Sequence, residues 1–240
     1  MTSVKICYIM LKNDYRSVCM NRTKVADRVL PGYTRKEEII NSLTHAAGAV
    51  FAVVALVMCA VYAKDGWARA GGILYGASMF ILFTASAVYH GLKKEYTKKI
   101  WQVIDHCSVY IMIAGCYMPV LFTGVRKQSE KMFATVLVCV LACVAVGAVF
   151  TAIDVNKYKP LTMVSYIVIG WFFVVILKTL KNAYPIEFLW WVLAAGVSIT
   201  AGTVLYLFGH RHRYFHSVFH LAVDLGAVLA FIGIFKFCVV

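Results

Sequence analysis

Seven times in its 240 residues this chain stays apolar for about 20 residues, the length a helix rising about 1.5 Å per residue needs to cross about 30 Å of hydrocarbon. The stretches fall at 42–63, 68–90, 100–124, 131–151, 161–180, 185–208 and 215–238. Inside lipid a backbone has no water to bond, so each stretch must close its own hydrogen bonds as a helix. The fold class that follows is all-α, a seven-transmembrane helix bundle. Polar or helix-breaking residues punctuate it: Lys64-Asp65-Gly66, Lys93 to Lys99, Arg126-Lys127-Gln128, Asp154 to Pro160, Lys181 to Pro185, and Gly209 to Arg213. No linker or second domain interrupts 37–240. Residues 1–36 read as a basic N-terminal extension, expected to be loosely ordered, in which Pro31-Gly32, Thr34 and Glu37-Glu38 offer a start for the first helix.

At 62% hydrophobic and 15% charged residues, the composition excludes an ordinary soluble domain. The chain reads as an integral protein of the cell membrane, plasma or inner. Six of its eight cysteines, Cys59, Cys107, Cys116, Cys139, Cys143 and Cys238, lie within or at the ends of apolar runs, and are expected to pack as small apolar residues, not as a disulfide framework. Lys5 and Lys12 break the first apolar run, which has no small-residue cleavage site, so no signal peptide is expected; Met20 is an alternative start. Small residues such as Gly71-Gly72, Gly76, Gly147, Gly196 and Gly202 are expected to let helices approach closely. Pro119 is expected to kink the third.

With seven spans and a cytoplasmic N-terminus, sixteen of the 24 lysines and arginines fall on the cytoplasmic side. That favours N-terminus in, C-terminus out, although the preference rests on the tail, since the loops alone tie. The net charge of +13 then describes a basic face against anionic lipid, with no call for nucleic acid.

All seven histidines lie near odd-numbered span starts or even-numbered span ends, which is one membrane side in any seven-span arrangement. His90 is three residues before Lys93, Asp105 six after Lys99, and His216 and His220 three and seven after Arg213. Those offsets place four polar groups from three helices in a layer roughly 5–10 Å inside the basic boundary. His216 and His220, four apart, project from one helical face. Three neutral imidazoles leave one tetrahedral position for water, the arrangement of a catalytic zinc, while iron and manganese stay open as alternatives.

Around such a metal, Asp105 can orient the water or take its proton, or simply pair with a neighbouring Lys or His. Ser86, one turn before His90, can donate to water or a substrate oxygen, or only bond its own helix. Asn41, Thr44 and His45 are expected to support the ligands from the start of the first span, capping it and bonding them. His106 should point away, and His210 and His212 should be solvated or lipid-facing. Cys139 and Cys143 share a helix face and are expected to pack in the core. Asp224 continues the His216–His220 face deeper, where an unpaired charge is costly, and has no explained role.

In order along the chain stand Glu38-x-x-Asn41-x-x-Thr44-His45, Ser86-x-x-Tyr89-His90, Asp105-His106 with Gly115-x-Tyr117-x-Pro119, Gly170-Trp171, Gly202-x3-Tyr206-x2-Gly209 and His216-x3-His220. This succession resembles the hemolysin III family, the bacterial branch of the progestin and adiponectin receptor superfamily, over about residues 37 to 238. The resemblance implies seven helices with a cytoplasmic N-terminus. It also implies zinc held near the cytoplasmic face by His90, His216 and His220, with Asp105 and Ser86 beside its water. Receptor members of the superfamily are similar to intramembrane ceramidases; bacterial members are named for haemolysis and linked to membrane energetics and lipid homeostasis. Asp224 stands where an apolar residue is expected.

The reading that follows is a zinc-dependent hydrolase of lipid amides or esters, with membrane lipids, ceramide-like substrates among them, as partners. The alternatives are a non-catalytic lipid or energetics sensor with structural zinc, and a cytolytic pore. The pore ranks lower because no polar stripe offers to line a channel.

Overall fold

The computed structural model describes residues 22–208 and 212–240. Residues 1–21, with the lysines at 5 and 12, and residues 209–211, with His210, lie outside it. The described residues form helices and no strand. They are α1 (Arg35–Tyr62), α2 (Gly66–Gly91), α3 (Glu95–Val120), α4 (Glu130–Ile153), α5 (Lys159–Gly170), α6 (Leu177–Ala183), α7 (Ile186–Phe208) and α8 (Phe215–Ile234). Six helices are long and apolar enough to cross a membrane, and the pair α5–α6, bent by 50°, makes up to seven. Together they make this an integral membrane protein.

The first helix begins seven residues before its apolar run. Thr34 closes a capping box: its hydroxyl accepts from the Glu37 N–H at 3.3 Å, while the Glu37 carboxylate accepts from the Thr34 N–H at 2.8 Å. The cap is therefore Thr34, and Asn41, Thr44 and His45 lie inside the helix, contrary to the capping role expected of them. α3 carries Pro119 within it and runs on through a π turn at Leu121–Val125, where the Thr123 hydroxyl bonds the Pro119 carbonyl at 2.8 Å. Close packing uses the small residues: a Cβ on Gly71 would come within 2.8 Å of the Pro119 backbone, so α2 and α3 touch almost backbone to backbone.

The fifth span departs from the straight 161–180 helix expected. It breaks after Gly170, passes through a 3-10 turn at Trp171–Val174 and resumes as α6. A break in hydrocarbon frees backbone carbonyls, which must find donors. Tyr117, fully buried on α3, supplies one: its hydroxyl donates to the Ile169 carbonyl at 2.6 Å and reaches that of Gly170 at 3.4 Å, and its ring stacks on Phe173 at 4.1 Å. Tyr117→Phe is expected to cost about 1–3 kcal/mol, the penalty of a buried carbonyl left unpaired. Thermal melting of the purified protein checks it.

Cys59 and Cys238 are buried as expected of small apolar residues, but Cys139 and Cys143 are exposed on the outer face of α4 and do not pack in the core. That helix is apolar all round, so lipid accommodates either face equally well.

The described part of the N-terminal extension, residues 22–34, is held down. Arg28, 2% exposed, donates to the Ile153 carbonyl at 2.9 Å; Lys99 donates to Ala26 O at 2.7 Å; Asn156 donates to Val29 O at 3.1 Å. Asp154 anchors the end of this strap, its carboxylate accepting from the Thr23, Asn156 and Lys157 N–H groups at 2.9–3.1 Å. Burial pushes the Asp154 carboxyl up, but hydrogen bonds from Thr23, Lys157 and Asn156 outweigh it and hold it below the usual carboxylate range. The anchor's contribution is therefore complete above the unfolded value of about 3.9 and is lost as pH falls through the lower folded value. Hydrogen exchange in residues 22–34 should stay slow at neutral pH and accelerate only below about pH 4, whereas Asp154→Asn should exchange fast at every pH; a strap equally protected in that variant would refute the anchor.

Candidate metal centre

Three buried imidazoles from two helices meet at one end of the bundle. His90 ends α2, and His216 and His220 occupy the first two turns of α8. The Nε2 atoms of His216 and His90 are 3.3 Å apart and those of His220 and His216 3.0 Å. One ligand atom from each residue lies within 4.8 Å of the others. Nitrogens held tetrahedrally at bonds of about 2.0–2.1 Å stand roughly 3.3 Å apart, so the spacing suits a single metal ion.

The tautomer of His90 also fits. Its Nδ1 lies 2.7 Å from Glu38 Oε2, and a carboxylate can only accept, so the proton sits on Nδ1 and the Nε2 lone pair faces the other two rings. Glu38 is held in turn by Lys98, whose ammonium is 3.0 Å from its Oε1. The same ammonium donates to the Tyr89 carbonyl at 2.8 Å and reaches those of His90 and Leu92 at 3.4 Å, satisfying the end of α2 where its unpaired carbonyls gather. Glu38 and Lys98 are supporting residues that the spacing of histidines did not single out. The available signal was register: Glu38, Asn41 and His45 lie three and four residues apart on one face of α1.

The expected supporting residues divide. His45 stacks on His220 with ring centres 3.8 Å apart and meets Phe83 edge-on at 5.1 Å. Asn41, fully buried, accepts from the Ser217 hydroxyl at 2.6 Å and so pins α1 to α8 beside His216. The Thr44 hydroxyl returns to the Asn41 carbonyl of its own helix at 3.0 Å. Tyr33, at the end of the strap, lies flat against His216 at 4.6 Å, and the Tyr214 N–H donates to Glu37 at 2.8 Å. Strap and ring together roof the three histidines on the loop side. Residue 214 itself adopts a left-handed conformation, φ 63°, in which the chain turns into α8.

From the histidines a chamber of about 470 Å³ runs the length of the bundle. Its polar end is lined by His45, Ser86, Asp105, His106, His216 and His220; the far end reaches Leu180, Lys181 and Trp190, and the walls between are almost wholly apolar. Asp105 and Ser86 thus share the chamber with the imidazoles. His106 does not turn away as expected but faces the same space, with Nδ1 2.9 Å from the Gln102 carbonyl and 3.5 Å from Asp105 Oδ2. Val174, Leu177, Trp190 and Leu193 line the chamber on its α5–α6 and α7 side and are exposed apolar residues.

A family model described as Haemolysin-III related matches residues 33–231. The chain is 30% identical over 207 residues to a protein named Hemolysin-3 from Bacillus cereus, covering 85% of this chain and 90% of that one. It is 28% identical over 210 residues to a Hemolysin-3 homolog from Bacillus subtilis (strain 168), covering 86% and 97% respectively.

Proposed function

This chain belongs to the Haemolysin-III related family, and from that premise, with its histidine cluster opening on a chamber in the bilayer, we propose that it is a zinc-dependent hydrolase of lipid amide or ester bonds. One observation carries the proposal: the ligand nitrogens of His90, His216 and His220 are spaced for a single ion, and two of these residues, His216 and His220, line the polar end of an apolar chamber. When bound there, zinc lowers the pKa of a water to about 7 and polarises a carbonyl. His90, His216 and His220 would hold it, with Glu38 fixing the first of these.

The apolar walls take an acyl chain and keep bulk water from the reacting carbonyl. Asp105 accepts the proton of the attacking water on a carboxylate oxygen and returns it to the leaving nitrogen or oxygen. Ser86, on the same wall, donates its hydroxyl to the substrate's polar head. Membrane lipids of ceramide-like build, an amide beside an acyl chain, suit this layout. The histidine end faces the cytoplasm in this scheme, on the side that carries sixteen of the 24 basic residues.

Zinc-loaded protein in lipid vesicles is expected to release fatty acid from a ceramide-like lipid. Asp105→Asn should keep its metal and lose about 10²–10⁴-fold in turnover, the usual contribution of a positioned acid–base group. Mass spectrometry of the released fatty acid, with metal analysis of the same samples, reads both. Wild-type protein that is full of zinc yet inert towards a broad panel of lipid amides and esters would overturn the proposal.

A further inference from the structure

The face of α8 that carries the histidines continues one turn past them to Asp224, four residues beyond His220. No step above uses it. Val223 and Ala227 line the chamber, but the Asp224 carboxyl turns towards α1 and α2: a Cβ on Gly48 would lie 2.7 Å from its Oδ1 and 2.9 Å from the Phe83 ring. Glycine at 48 is what gives the carboxyl its room. Its Oδ1 is buried there without a hydrogen-bond partner.

Among the described residues no lysine or arginine pairs with Asp224, and residues 186–208 of α7, the helix beside α8, contain neither. Residues 37–62 of α1, 70–91 of α2 and 215–234 of α8 contain neither lysine nor arginine. The titratable groups that these helices carry on either side of it are His45, three residues from Gly48 on α1, His220, four residues before it on α8, and Tyr75 on α2, whose hydroxyl donates to the Ala227 carbonyl at 3.1 Å; the two histidine rings stack on each other. On α2 the Phe83 ring meets the same Gly48 position and bears no charge. An ionised carboxylate placed so would have no cation to pair with and an Oδ1 without a donor, a costly state inside a membrane. Taking up a proton removes that cost. A metal cation would need several oxygens, and the backbone carbonyls at this level are committed to their helices.

We propose that Asp224 is a proton-binding site inside the bilayer, a carboxylic acid at neutral pH, lodged in the seam of α1, α2 and α8 and separate from the histidine cluster. Its ligand is a proton, and a hydrophobic carbodiimide is the probe. Dicyclohexylcarbodiimide takes the acid proton onto one nitrogen, the carboxylate oxygen bonds the central carbon, and an oxygen-to-nitrogen acyl shift leaves a stable N-acylurea with no other reagent consumed.

Full-length, zinc-loaded protein in vesicles at pH 7 is expected to gain this adduct on the Asp224 peptide. Asp224→Asn, with unchanged metal content, should lose it. Infrared spectra of the same two proteins should differ by a carboxylic-acid carbonyl band that only the wild type shows, and this reading does not depend on reagent access. The band should survive in Asp105→Asn, which separates the two carboxyls. Identical spectra for wild type and Asp224→Asn would overturn the proposal, as would protection of Asp224 from the carbodiimide by sodium chloride but not by choline chloride.

Discussion

His220→Ala is expected to strip the protein of its bound metal and, with it, the stabilisation that metal gives the bundle. A ligand bound only by the folded state adds about 4 kcal/mol when its free concentration is 1,000 times its dissociation constant. On the scale of a chain of 150–250 residues that is a shift of roughly 10 °C in melting temperature. Chelation of the wild type should produce a fall of that order, and adding zinc should restore it. The variant should melt where the chelated wild type melts and should ignore both treatments. His220 is buried between His45, His90 and His216, so truncation also opens a cavity. His220→Gln, closer in volume, controls for that loss and should be just as insensitive to metal. A His220→Ala protein that still carries stoichiometric zinc would disprove the assignment.

The second large effect belongs to Glu38. Its carboxylate fixes the His90 proton on Nδ1 at 2.7 Å and neutralises Lys98 at 3.0 Å, so one side chain holds both the ligand and the cation that caps α2. Glu38→Ala should lower metal affinity by about 10–100-fold, the usual cost of losing a group that orients a ligating histidine. It also leaves the Lys98 ammonium, 8% exposed, without its carboxylate. Glu38→Gln keeps a hydrogen-bonding group beside Nδ1 and should recover part of the affinity, a recovery that general misfolding would not show. Competition with a chromogenic chelator measures both. An unchanged dissociation constant in Glu38→Ala would show that the contact does not govern binding.

The convergence of the three histidines is legible in the chain because distance from the basic boundary is simple arithmetic for a helix in a membrane. His90, His216 and His220 carry offsets of three to seven residues, and depth follows directly. Direction around the helix is harder. The step of about 100° from Asp105 points His106 away from the site, yet its ring turns back to the Gln102 carbonyl and enters the chamber. Glu38 opens the run Glu38-x-x-Asn41-x-x-Thr44-His45, but an acid in a first helical turn reads as dipole complement before it reads as a partner to a histidine on another helix. The break after Gly170 was invisible for a different reason. Composition across 161–180 stays apolar through the bend, and the group that makes the bend tolerable, the Tyr117 hydroxyl, lies some fifty residues away in sequence. The start of α1 was legible because a capping box is local.

The roof over the histidines has a consequence for kinetics. Tyr33 lies on His216, and the segment leading to it is pinned by Arg28, Lys99 and Asp154, so among the described residues that segment covers His216 on this side. An ion held by the cluster and leaving past Tyr33 would exchange at the opening rate of that segment, whatever the equilibrium affinity. A tightly scavenging cell would be slow to rob such a protein, and a cell rich in the wrong metal would be equally slow to correct one loaded badly.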